Sequence, residues 1–178
     1  MIALGVFLII GFELTAAGWL PSYAVVKGAM DKREATICGT LFWLMMTLFR
    51  FTVSGSSAKC SLKLRILTSS LLACSLLCLG LHWLGTSYLV TIMGSTVFGA
   101  SCSAVFPLLI SVSKEYRIKF KHEQVSRIMF MPFLSSFLLT GLTGEMIGWD
   151  VGLLFLCLVG MGGGLWVVGK KLLQVLEE

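Results

Sequence analysis

The sequence predicts an all-α, polytopic membrane protein with six transmembrane helices, on three observations. Of its 178 residues, 57% are hydrophobic and only 13% charged, about half the roughly 25% charge usual in soluble domains. The apolar residues fall into runs of about 20, the length that crosses a bilayer as a helix. When those runs are read as spans, the basic residues gather on one side of the membrane. A mean hydropathy of +0.92 excludes intrinsic disorder, a coiled coil and a secreted disulfide scaffold.

The expected spans are 2–26, 35–54, 66–84, 88–113, 124–147 and 151–169, forming one domain over residues 1–178. No period-two alternation persists, so a β-barrel is not expected. Breaks carry turn or charge signals: Lys27 to Glu34, Gly55 to Arg65, Gly85-Thr86-Ser87, Lys114 to Glu123, and Trp149-Asp150. An even number of spans puts both termini on one side. Lys27, Lys32 and Arg33 lie on the other, against eleven basic residues on the first, which together make the chain's 14. The positive-inside rule then places both termini in the cytoplasm. The net charge of +5 is explained by this topology, so the expected partner is the lipid bilayer and not nucleic acid.

The first span holds the sharpest feature. Glu13 lies ~18 Å along a helix starting at Met1, near the bilayer midplane. A carboxylate there is costly unless protonated, paired or wet, and such residues often mark ion, proton or substrate routes. No Lys or Arg is expected at its depth, so water or a coupling cation would have to reach it. Residues 1–20 lack a basic leader segment, and Glu13 interrupts their apolar run, so a helix is expected and not a signal peptide. Pro21 frees the carbonyl of Ala17, and with Gly18 nearby a kinked or partly unwound helix is expected. Trp19 and Tyr23, four residues apart, would share a face and offer a platform for a sugar ring.

In the second span Arg50 is near the inner end. It is expected to snorkel to the cytoplasmic surface, with a latch to Glu115 or Glu123 as the alternative. The fourth span carries Gly99 and Ser103, a small-xxx-small pair that lets another helix approach closely, followed by Pro107. In the fifth, Glu145 is expected at the outer interface. The sixth contains Gly160-x-x-x-Gly164, suited to packing within the bundle or to self-association. Cys38, Cys74, Cys78, Cys102 and Cys157 sit in apolar runs as small hydrophobes. No Cys/His spacing suggests a metal, no nucleophile or phosphate motif suggests an enzyme, and no cofactor is expected.

Three segments carry a resemblance: Gly11-Phe12-Glu13 with Gly18-Trp19-Leu20-Pro21-Ser22-Tyr23-Ala24-Val25; Leu41-Phe42-Trp43 with Phe49-Arg50; and Phe98-Gly99 through Phe106-Pro107. In order and spacing they resemble helices seven, eight and ten of the fucose-permease-like and sodium-dependent glucose transporter 1-like branch of the major facilitator superfamily. Phe49 departs from that pattern, which has Gly before the arginine, and Met131-Pro132-Phe133 replaces a Gly-rich stretch. The resemblance covers nearly the whole chain as a carboxy-terminal six-helix half, with Met1 where a linker between halves would end. It implies secondary transport of a small polar solute, with a sugar as the favoured class, coupled to a proton or sodium. Glu13, Trp19 and Tyr23 would bind solute or coupling ion, and Arg50, Gly99 and Pro107 would form the gate. The partner would be an amino-terminal six-helix half or a second copy. The alternative expectation is a transporter-derived structural or regulatory subunit without transport, or a fragment of a longer transporter.

Overall fold

In lipid a helix satisfies its own backbone hydrogen bonds, so long apolar runs become helices. A computed structural model describes residues 2–27, 30–54, 88–103 and 122–177, with Ser70, Ala73 and Leu77 as single positions. Its elements are α1 (Ile2–Val26), α2 (Lys32–Ser54), α3 (Tyr88–Ser103), α4 (His122–Ser135), a π-helical turn (Ser136–Thr140), α5 (Gly141–Trp149) and α6 (Leu153–Glu177). No strand occurs among the described residues. Ala3–Val26, His122–Trp149 and Leu153–Lys171 are long and apolar enough to cross a membrane, and Leu89–Ser103 is a shorter apolar helix. The chain is therefore read as a membrane protein. The expected span 66–84 and the second half of 88–113, with Pro107, lie outside the described residues. So do Cys74, Cys78 and Glu115.

Local chemistry sets the helix starts. Asp31 caps α2: its Oδ1 accepts the Lys32 N–H at 2.8 Å, and Glu34 Oε2 reaches back to the Asp31 N–H at 3.2 Å. The Glu34 contact is the reach-back half of a capping box, while the Asp31 carboxylate takes the first helical N–H and not the third. Before α6 the Asp150 Oδ1 accepts the Gly152 N–H at 2.8 Å, closing the turn between α5 and α6. Lys27 reaches Asp150 at 3.6 Å, so the α1–α2 and α5–α6 connections lie at one end of the bundle. The sixth helix runs on to Glu177, past the expected limit of 169.

Pairs of contacts give the helix directions. Gly39 sits by Pro21 and Arg50 by Glu13, so α1 and α2 are antiparallel. Gly11 meets Leu139 and Trp19 meets Gly144, so α1 and α4–α5 run parallel. Tyr23 meets Phe155 and Leu8 meets Gly164, so α1 and α6 are antiparallel. Ile92 packs on the cluster containing Cys38, and Phe98 packs on Phe42, so α2 and α3 run parallel.

Helix α1 has no polar face and stands at the centre, packed against α2, α4, the π turn and α6. A helix apolar all round belongs in a buried or membrane setting. Phe98 joins α1 to α2, its ring centroid 5.3 Å from Phe12 and 5.8 Å from Phe42. Gly99 makes this possible, because a Cβ there would collide with the Phe42 backbone carbonyl. The close approach expected of this span is thus seen at Gly99, and its neighbour is α2. Cys38 and Cys102 are buried in the apolar packing. Leu44, Leu48, Met93, Phe133 and Phe137 point outward, as a lipid-facing surface requires.

One expectation is corrected here. Helix α1 continues through Pro21 without unwinding. The proline ring lies against Gly39, whose missing side chain leaves it space, and neighbouring helices hold the weakened turn. The irregular backbone is at Ser136–Thr140 instead, one turn after Pro132.

Candidate functional site

Glu13 and Arg50 form an ion pair inside the bundle. Arg50 Nη2 donates to both carboxylate oxygens, at 3.1 Å to Oε1 and 2.9 Å to Oε2. The Glu13 side chain is 5% exposed and that of Arg50 34%. This corrects the expectation that Arg50 snorkels away or latches to Glu115 or Glu123, and that no basic group reaches the depth of Glu13. Glu123 is exposed at the start of α4.

The geometry of an antiparallel helix pair explains the outcome. Every Cα–Cβ bond in a helix tilts toward that helix's own N-terminus. Arg50 on α2 therefore leans toward the Lys32 end and away from Ser54, while Glu13 on α1 leans toward the Ile2 end. By helical rise, Glu13 lies ~20 Å from the Val26 end of α1 and Arg50 ~27 Å from the Lys32 start of α2. The two tilts close that offset. Snorkelling outward from Arg50 would run against its own Cβ direction.

Only one guanidinium nitrogen carries the pair. The neighbouring Nε–H is buried without a hydrogen-bond partner. It shares an edge of the guanidinium with Nη2. A carboxylate moved along that edge would take both groups in the bidentate fork typical of arginine–carboxylate pairs. The pair thus has a second arrangement within reach of a small shift.

One turn along, α1 meets the π turn. Thr15 Oγ1 lies 3.3 Å from Thr140 Oγ1, and Trp19 Nε1 donates to the Thr140 carbonyl at 3.3 Å. Thr143 Oγ1 donates to the Leu139 carbonyl at 2.7 Å. Two successive carbonyls at the end of the π turn thus accept side-chain donors, which helps hold a backbone departing from the i→i+4 pattern. Small residues permit the contact: a Cβ on Gly144 would come 2.6 Å from the Trp19 ring, and one on Gly11 would strike Leu139. Neither Thr140 nor the π turn is legible in the sequence. Pro132 was the only signal near them.

Trp19 and Tyr23 do not form the expected common platform. Trp19 is engaged with the π turn and α5. Tyr23 is buried, edge-on to Phe155 of α6 at 4.6 Å. Tyr23 also lines a cavity of about 20 Å³ between α1, α3 and α6, with Thr91, Ser95 and Phe98. A cavity needs roughly 10–15 Å³ of such volume to hold one water, so this one has no room for a sugar. Gly164 packs on Leu8 while Gly160 faces open space, so the two glycines do not share one packing surface. Glu145 is exposed, as expected. Among the described residues no three His, Cys, Asp or Glu side chains gather as a metal site.

No family model, curated protein or solved structure matches the chain.

Proposed function

We propose that the chain is one six-helix half of an alternating-access secondary transporter for a small polar solute, with a sugar as the favoured class. The Glu13–Arg50 pair carries this reading. Burying the Glu13 charge among apolar helices, with Arg50 partly buried beside it, costs several kcal/mol in desolvation, and a hydrophobic pair of similar volume is often at least as stable. Ionisable groups at such positions are typically functional. Glu13 binds solute or coupling cation, and Arg50 neutralises it when neither is present.

Further support comes from the helix directions. Parallel neighbours in a membrane require an odd number of crossings between them, and the expected span 66–84 supplies one between α2 and α3. The small cavity fits a half-site that a second six-helix body completes, either an amino-terminal half or a second copy. In this reading both termini are cytoplasmic, Trp19 and Tyr23 hold the walls of the solute path, and Gly99 and Pro107 belong to its gate. The resemblance of the Gly11–Val25, Phe42–Arg50 and Phe98–Pro107 segments to the fucose-permease-like branch points the same way.

The test uses membrane vesicles from cells that express the chain, from matched cells lacking it, and from cells carrying Glu13→Gln. Labelled glucose and fucose uptake is followed under imposed proton and sodium gradients. The expected result is gradient-driven accumulation that disappears in the deleted cells. In Glu13→Gln accumulation is lost while passive exchange persists. Uptake unchanged by deletion, or wild-type accumulation in Glu13→Gln, overturns the proposal and leaves the subunit reading.

A further inference from the structure

At the end of the bundle marked by Lys27 and Asp150, an open groove lies between α1 and α2. It has a volume of about 430 Å³ and is lined by Pro21, Ser22, Val25 and Val26 of α1 and Lys32, Ala35 and Thr36 of α2. That volume lies within the ~300–1,000 Å³ of ordinary ligand pockets. Its walls are chiefly aliphatic, and its single charged lining residue, Lys32, is exposed. The nearby carboxylates are committed elsewhere: Asp31 and Glu34 to the backbone of the α2 cap, and Asp150 to Lys27 and the start of α6.

Position and chemistry select the occupant. The groove runs from the charged helix start at Lys32 to Pro21, ~8 Å down α1 from Val26 by helical rise. That is the stretch over which a bilayer changes from headgroups to hydrocarbon. An apolar slot with one cation at its upper rim complements an acyl chain carrying an anionic group at its head. We propose that the groove holds one membrane phospholipid. The acyl chain lies on Pro21, Val25 and Val26, and the phosphate sits on the Lys32 ammonium, with the exposed Ser22 beside the glycerol. The groove shares no lining residue with the small cavity on the other side of α1, where Tyr23 packs on Phe155.

The test is native mass spectrometry of the full chain released from nanodiscs of phosphatidylcholine with phosphatidylglycerol, counting bound phospholipid. A Lys near an anionic lipid surface contributes enough for about a fivefold change in binding. Lys32→Gln should therefore reduce the one-lipid adduct about fivefold, and Lys32→Glu by more. Lys32→Arg should retain it. Glutamate at the first position of a helix suits the helix dipole, so Lys32→Glu does not weaken α2. Val25→Trp, with Ser22→Trp as a second groove-filling change, should lose the adduct with Lys32 intact. Inorganic phosphate should not displace the lipid. An adduct unchanged in Lys32→Glu or in both tryptophan variants overturns the proposal. Displacement by inorganic phosphate overturns it as well, leaving a bare cation contact.

Discussion

Removing either partner of the Glu13–Arg50 pair should destabilise the bundle unequally. In Arg50→Gln the carboxylate of Glu13 remains 5% exposed with its cation gone. Leaving one member of a buried pair uncompensated costs about 3–5 kcal/mol. In Glu13→Gln the leftover guanidinium belongs to a side chain that is 34% exposed. It can turn part of its charge toward water or headgroups, so the cost falls toward that of a lost charged hydrogen bond, about 1.5–3 kcal/mol. The double variant Glu13→Gln/Arg50→Gln leaves no buried charge and should recover much of the loss. The coupling between the two changes should then exceed about 1 kcal/mol, within the range for contacting residues. The assay is equilibrium unfolding of the four proteins in one detergent, read by far-ultraviolet circular dichroism and tryptophan fluorescence. Equal single losses that simply add in the double variant would show that the two side chains do not meet.

Other predictions concern packing. Gly99→Ala drives a methyl into the Phe42 carbonyl and should cost about 1–3 kcal/mol as overpacking against backbone. Gly160→Ala, which faces open space, should be neutral or stabilising by up to about 1 kcal/mol through helix propensity. The same unfolding assay separates them. Trp19→Phe keeps the ring but removes the donor to the Thr140 carbonyl. It should cost about 0.5–1.5 kcal/mol, and hydrogen exchange should rise around residues 136–141 and not in α6. Lys27→Ala breaks an exposed pair with Asp150. Its effect should be below about 1 kcal/mol and should shrink further in high salt.

The legible and illegible parts of this molecule divide along a physical line. Features set by one helix alone could be read. The apolar lengths pointed to the three long apolar helices Ala3–Val26, His122–Trp149 and Leu153–Lys171, and Glu13 stood out as a charge inside an apolar run. Features set by which helices are neighbours could not. The reach of Arg50 depends on α2 lying antiparallel beside α1, so that the two Cβ tilts converge. A helical wheel groups Trp19 with Tyr23, but α5 claims one ring and α6 the other. Pro21 reads as a break only until Gly39 is seen to make room for it. The π turn at Ser136–Thr140 carries no local marker in its own residues. It is held by donors from Thr143 within its own span and from Trp19 more than a hundred positions earlier.

The pairing of Glu13 with Arg50 joins consecutive helices, and this bears on how the chain enters the membrane during synthesis. A charged residue at the centre of a span, as Glu13 is in α1, opposes insertion by ~2.5–3.5 kcal/mol on translocon scales. Helices α1 and α2 are separated only by the short turn at residues 27–31. They can therefore leave the ribosome as a hairpin whose two charges neutralise each other before α4, the π turn or α6 exist to shelter them. A partner supplied by α6 would have left Glu13 waiting for nearly the whole chain.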